Sequence, residues 1–279
     1  MIVPSPAPLL DVLDLEPVGD DAYRPRHGGA GRGGHRLFGG QVAAQALRAS
    51  AASVDDGYAV DSMRAYFLRP GRPDAPITYA VERVRDGRSV ATRRVVALQG
   101  GAAILDLDAA FGRPQPGAGV TAGPPVVSPV GALDPPEAAP PLPRPPWRRD
   151  RLVDMRPASP ARSGIRAVWA RAPGPLPDDP AVHACVLAYL TDMGPVSVVV
   201  TALGHEHGRL VTASLDHCLW FHHPVRVDRW LLYELQPAGV ARARGLARGS
   251  VWDQDGHLVA TVLQEALARP RDLRRPAAR

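Results

Sequence analysis

The sequence predicts an α+β fold built from two similar halves, and three observations predict it. Each half opens with one helical pattern and continues as a run of strand-like segments. Short motifs recur between the halves in the same order. Between them lies a proline-dense stretch, 114–146, with Pro124-Pro125, Pro135-Pro136, Pro140-Pro141 and Pro145-Pro146. Proline fixes φ and removes the amide donor, so this stretch is neither a helix interior nor a central strand and reads as an extended linker. The expected division is 1–113, a linker over 114–155, a second half over 156–270, and a loose basic tail over 271–279.

In the first half, 38–50 (FGGQVAAQALRAS) places Val42, Ala46 and Ala49 at helical spacing, with Ala43 and Leu47 beside them. Side chains this small let a sheet pack close. Strands are expected at 62–68, 77–84, 90–98 and 102–111. Asp86-Gly87 is the hairpin signal, since both residues tolerate the positive φ of a primed turn. In the second half the helix is 181–193 (AVHACVLAYLTDM), followed by strands at 210–221, 230–236, 243–252 and 257–267. Asp255-Gly256 repeats the turn signal.

Composition narrows the function classes. Of 279 residues, 45% are hydrophobic and 22% charged, the balance of a globular chain. The net charge of +5 is carried by arginine alone, because there is no lysine. The arginines are scattered and lack the aromatic run of an RNA-binding sheet, so nucleic acid is not an expected partner. No uninterrupted run of 18 apolar residues and no signal-peptide layout occur, so a membrane is not expected either. Cys185 and Cys218 alone make no disulfide framework, and a reducing cytoplasm is the expected compartment.

The halves match residue for residue in places. Tyr66-Phe67-Leu68-Arg69-Pro70 aligns without a gap on Trp220-Phe221-His222-His223-Pro224, and Ile77-Thr78-Tyr79 falls on Leu231-Leu232-Tyr233. After each Asp-Gly turn, Val90-Ala91-Thr92 meets Val259-Ala260-Thr261. The motifs FGGQVAAQAL, AYFLRPG and YAVERVRDGRS, then YLTDM, ASLDHCLWFHHP, DRWLLYELQ and GHLVATVLQEALAR, resemble the acyl-CoA thioesterase II family from about Phe38 to Arg269. The resemblance implies a double hotdog fold, two antiparallel sheets each wrapped around a long central helix. It also implies hydrolysis of fatty acyl-CoA thioesters by direct attack of water, without a cofactor. The family's catalytic positions fall on Asp192, Ser214 and Gln264. Where the family has histidines before YFL, this chain has Asp61 and Arg64, and the family's Gln-Glu-Gly is Gln264-Glu265-Ala266.

That chemistry needs a positioned water, a proton acceptor and donors for the carbonyl oxygen. Asp192 supplies the acceptor; Ser214 and Gln264 supply a hydroxyl and an amide. The amides of Gly39, Gly40 and Gln41, at a helix N-terminus, are candidates for the oxyanion and substrate. Arg69, Arg72, Arg85 and Arg88, at turns, are candidate contacts for CoA phosphates. In the internal alignment Val60 and Val95 match Ser214 and Gln264, so one competent site per chain is expected. A metal is not expected: His217 and His223 share a strand face, but His222 points away, and His205 and His207 bring no ligand motif. Gly29 to Gly34 formally satisfies GxGxxG but follows no apolar strand. Two other classes stay open at this level: a non-catalytic acyl-CoA or acyl-carrier-protein binding module, and another acyl-thioester reaction on the same fold. Exposed sheet edges allow homo-oligomers.

Overall fold

A computed structural model of the chain describes residues 8–27, 36–115, 130, 133–142, 152–159, 164–205 and 208–271. In chain order the elements are α1 (Pro8–Leu13), β1 (Leu15–Gly19), β2 (Ala22–Pro25), α2 (Gly39–Ala51), β3 (Ala59–Phe67), β4 (Thr78–Asp86), β5 (Val90–Gln99) and β6 (Ala102–Gly112). The second half carries β7 (Asp154–Pro157), β8 (Arg166–Arg171), α3 (Pro180–Thr191), α4 (Pro195–Ala202), β9 (Leu210–Ser214), β10 (Asp216–Phe221), β11 (Leu231–Ala241), β12 (Arg244–Trp252) and β13 (Leu258–Pro270). Gly29–Gly34 and His207 lie outside the described residues.

All the described strands join one antiparallel sheet in the order β1-β2-β4-β5-β6-β3-β10-β13-β12-β11-β8-β7, with β9 also on β13. The halves meet where β3 pairs with β10, Met63 opposite Leu219 and Ala65 opposite His217. The expected double hotdog is therefore present, with its two sheets fused edge to edge into a single one. Six short elements were not anticipated: α1, β1, β2, β7, β8 and α4.

The two central helices are buried nearly all round. In α2, Ala43, Ala44, Ala46, Leu47 and Ala49 are wholly inaccessible, because the helix lies between the sheet and α3. In α3, the Asp179 carboxylate accepts the Ala181 N–H at 2.9 Å and Pro180 opens the first turn, a cap and start signal together. The segment Pro180–Ala202 reaches a mean hydropathy of 1.5, long and apolar enough to cross a membrane by composition. His183 and Asp192 interrupt it, so the expected absence of an unbroken apolar run of 18 stands, and 72% of its 18-residue apolar window is buried inside this fold.

Hairpin chemistry also departs from expectation. Neither Asp86 nor Gly87 takes a positive φ; the β4–β5 turn closes through Gly87 N–H to Val90 O at 3.0 Å. Gly256 does take a positive φ, and the Asp253 carboxylate accepts the Asp255 and His257 amides around it. The proline-rich segment is not a free tether where it is described. Val130 and Leu133 pack with Trp169, Trp230 and Trp252, and Trp230 donates to Glu137 at 2.8 Å. Strand β7 begins at Asp154, inside the expected linker.

One buried cation was invisible in the strand pattern. Arg93 is enclosed, and its guanidinium donates to Ser53 Oγ, Ser53 O, Arg85 O, Thr92 O and Asp86, tying the C-terminal end of α2 to the β4–β5 hairpin. Arg93→Ala strips the buried Ser53 carbonyl and two part-buried carbonyls of a charged donor. A loss of about 3 kcal/mol in unfolding free energy is expected from urea titration; a loss below about 1 kcal/mol would contradict this role.

Candidate active site

The last turn of α3 carries Asp192 as its C-cap. Two features fix that turn. The buried Tyr233 hydroxyl donates to the Thr191 carbonyl at 2.8 Å, satisfying a carbonyl that the helix end leaves open. Gly194 then takes φ 127°, which lets the chain turn sharply into α4.

Asp192 faces the N-terminus of α2. Its Oδ2 accepts the Gly40 N–H at 2.6 Å, across 152 residues of sequence. Glycine is required for the approach: a Cβ at Gly40 would stand 2.7 Å from Tyr189 O and 2.9 Å from Asp192 Cβ. The positive end of the α2 dipole therefore sits against the carboxylate, where negative charge is favoured. On the other side, Gln264 Nε2 donates to Asp192 Oδ1 at 3.0 Å and to Ser214 Oγ at 2.7 Å. The nitrogen must be the atom facing the carboxylate, since an amide oxygen there would be repelled. Asp192, Ser214 and Gln264 thus converge as the sequence predicts.

Ser214 reaches this point through a break in the strand expected at 210–221. It pairs with Ala266 at the end of β9; Leu215 leaves the ladder; β10 resumes at Asp216. The Asp216 carboxylate takes the Glu265 N–H at 2.6 Å, which stabilises the bulge, while Leu215 N–H bonds Glu265 O at 2.9 Å. An unbroken strand would put Ser214 and His217 on opposite faces. The extra residue brings both inside, and His217 is fully buried. This corrects the pairing of His217 with His223: His222 and His223 lie beyond the end of β10 and are exposed.

The other expected site residues divide. Gly39, Gly40 and Gln41 are all at the site, but the Gly40 amide is engaged by Asp192, not left open for an oxyanion. Gln41 is buried, and its Nε2 has no hydrogen-bond partner. Arg69 and Arg72 follow β3, whose Phe67 ring approaches Gly39, so they share this end of the molecule. Arg69 bonds Ala103 O and Arg72 pairs with Asp74. Arg85 and Arg88 belong to the β4–β5 turn, beside Ser53 at the C-terminal end of α2. That is the far end of a 13-residue helix, about 20 Å away, so the chain does not bring these two to the site. Asp61 and Arg64 point outward: Asp61 forms a bulge in β3 with burial raising its carboxyl somewhat, and Arg64 stacks on Trp220 at 5.3 Å.

The sheet order also corrects the internal alignment. Strand β13, which bears Gln264, neighbours β10 as β6 neighbours β3. The two Asp-Gly turns therefore belong to different hairpins, and the counterpart of Gln264 is Ala109, not Val95. With Val60 matching Ser214, Met63 matching His217 and Ala52 capping α2 as Asp192 caps α3, the four matching positions of the first half carry no acid, hydroxyl or amide side chain. The expectation of one competent site per chain then rests on Ala52, Val60, Met63 and Ala109. Sequence reasoning missed Thr191 and His217 as members of the site; the available signal was that each adjoins a named residue within one short motif, YLTDM or SLDH.

The arrangement is a carboxylate held by two donors, beside a hydroxyl whose oxygen already accepts from Gln264. It can orient a water and take a proton from it. Two family profiles cover the chain: one described as acyl-CoA thioesterase N-terminal domain over residues 26–112, and one described as acyl-CoA thioesterase over residues 151–267. Acyl-coenzyme A thioesterase 8 of Homo sapiens is 34% identical, over 92% of this chain and 88% of that protein. Acyl-CoA thioesterase 2 of Haemophilus influenzae is 32% identical, over 94% of this chain and 96% of that protein. The crystal structure of an acyl-CoA thioesterase II from Mycobacterium marinum matches with a TM-score of 0.81 and 34% identity, over 96% of this chain and all of that one. The paired profiles, the full-length relatives and the shared architecture place this chain in the acyl-CoA thioesterase II family.

Proposed function

We propose that Asp192, Ser214 and Gln264 carry the hydrolysis of an acyl-CoA thioester to the free acid and coenzyme A. The observation that supports this reading most directly is the convergence of Gln264 and the Gly40 amide on one carboxylate. Asp192 accepts a proton from a water molecule as the water oxygen attacks the thioester carbonyl carbon. Collapse of the tetrahedral intermediate breaks the C–S bond, and the CoA thiolate leaves with its electron pair. Ser214 accepts from Gln264, so its own hydroxyl proton is available to hold the water or the developing oxyanion. Gln264 acts as a bridge between Asp192 and Ser214, because both of its N–H groups are engaged and its Oε1 is buried. The Gly39 amide, one of the first-turn groups a helix cannot satisfy itself, and the unpartnered Gln41 Nε2 are assigned to the substrate carbonyl.

Fatty acyl chains as substrates, Arg69 and Arg72 as CoA phosphate contacts, and a cytoplasmic setting belong to the same proposal. A purely binding role gains no support from a site in which acceptor, hydroxyl and amide are all in register. The test is thiol release from short, medium and long acyl-CoAs, by wild type and by Gln264→Ala. Turnover reduced about 100-fold in the variant is the expected result. Saturable acyl-CoA binding without thiol release in the wild type would replace the hydrolase by a binding module.

A further inference from the structure

We infer that Tyr233 is a positioning residue for the hydrolysis: its hydroxyl holds the turn after α3 so that the Asp192 carboxylate faces the Gly40 amide and Gln264. The inference rests on the catalytic reading above. A carbonyl in a helix is ordinarily satisfied by the amide four residues on. For Thr191 that residue is Pro195, which has no N–H. Among the described residues the Tyr233 hydroxyl is the donor that Thr191 O receives, at 2.8 Å. Other donors near the turn are directed elsewhere. The Thr191 hydroxyl points back to Leu187 O at 2.8 Å, and Arg166, whose Nε lies near Gly194, gives Nη1 to Ser197 Oγ at 3.3 Å. The peptide plane that carries Thr191 O ends at the Cα of Asp192, so the bond that holds this carbonyl also sets where the carboxylate starts. Burial raises the phenol well above its ordinary pKa, so it stays protonated and a donor.

The first half contains the control for this role. Tyr79 occupies the matching place: the register runs Tyr79, Ala97, Leu105, Phe67 across one half and Tyr233, Val251, Ala260, Phe221 across the other. Both tyrosines are wholly buried. Tyr79, however, donates to Gln45 Oε1 at 2.7 Å, in the middle of α2. The end of that helix is closed by its own chain, with Val54 N–H on Ala51 O at 3.3 Å. The different aims follow from one position on the neighbouring strand. Gly249 stands diagonal to Tyr233, and a Cβ there would lie 2.7 Å from the ring carbon Cε2. The same register step in the first half carries Val95, whose buried side chain denies Tyr79 that space. The half that bears the catalytic carboxylate is therefore the one in which the sheet leaves room for a tyrosine to reach the helix end.

Tyr233→Phe removes the hydroxyl and keeps the ring. It is expected to lower kcat about 10- to 30-fold, the effect of one buried hydrogen bond, with KM within about twofold. Tyr79→Phe removes an equally buried hydroxyl. It is expected to match the fall in melting temperature, about 3 °C, while kcat stays within about twofold of wild type. Tyr233→4-aminophenylalanine, whose amino group donates from the same place, is expected to recover most of the lost kcat. Because the tyrosine acts through the carboxylate, adding Tyr233→Phe to Asp192→Asn should slow that variant no further. Equal kcat losses in Tyr233→Phe and Tyr79→Phe, wild-type kcat in Tyr233→Phe, no recovery with the amino group, or a further loss in the double variant would each overturn the inference. Failure of the catalytic reading is told apart from this: it would leave Asp192→Asn itself at wild-type turnover.

Discussion

Asp192→Asn is expected to lower kcat for acyl-CoA hydrolysis by about a thousandfold, within the range for removing a general base. The substitution keeps the shape of the side chain, so the Gly40 N–H still finds an oxygen. What it removes is the capacity to take a proton from water. It also places an amide nitrogen where Gln264 Nε2 now donates, or forces the Asn oxygen to serve both donors while its nitrogen goes unpaired. No residual activity should come from the other half, because Ala52, Val60, Met63 and Ala109 offer neither acid, hydroxyl nor amide. Thiol-release kinetics give the rate, and a thermal melt within about 2 °C of wild type excludes unfolding as the cause. Turnover within tenfold of wild type would remove Asp192 from the chemistry and leave it as a cap joining two helices.

Much of this architecture could be read from side-chain spacing because the spacing reports burial. The alanine-rich face of 38–50 marks a helix that others must approach closely, and α2 is buried nearly all round. Strands β3 to β6 and β11 to β13 fall within a few residues of their alternating or apolar segments. Less legible were features set by a partner distant in sequence. The break at Leu215 depends on Asp216 capturing the Glu265 amide, 49 residues on, and nothing in ASLDHCLWF announces it. An unbroken strand in turn gives His217 the wrong face, which is why spacing alone groups it with His223. The Val95 alignment failed for a related reason: two Asp-Gly turns look alike locally, but only pairing reveals which hairpin each closes. Arg85 and Arg88 follow Arg69 and Arg72 closely in sequence, yet β4 carries the chain to the opposite end of α2. The convergence of Asp192, Ser214 and Gln264 was legible because the motifs were matched as a set and not inferred one at a time.

Gly40→Ala tests whether the site depends on contact between the two helices, and two influences act in opposite directions. Alanine is the better helix former by about 1 kcal/mol, so propensity alone predicts a more stable protein. Against this, the new Cβ would lie 2.6 Å from Phe38 Cε1, 2.7 Å from Tyr189 O and 2.9 Å from Asp192 Cβ. The Phe38 ring could swing aside, although it packs edge-on to Tyr189 at 5.1 Å. The Tyr189 carbonyl cannot, because it belongs to the backbone of α3. Relief must come from separating the helix ends, which draws the Gly40 N–H away from Asp192. A net loss of about 2 kcal/mol in unfolding free energy is expected, with kcat lowered about 100-fold as the carboxylate loses its donor. Gly39→Ala is the milder companion: its Cβ meets the Phe67 ring at 2.9 Å and Asp192 Oδ2 at 3.0 Å, both parts of side chains. Urea unfolding and thiol release on the two variants separate the influences. A Gly40→Ala protein more stable than wild type and fully active would mean that helix propensity governs and that the close approach of α2 to Asp192 is dispensable.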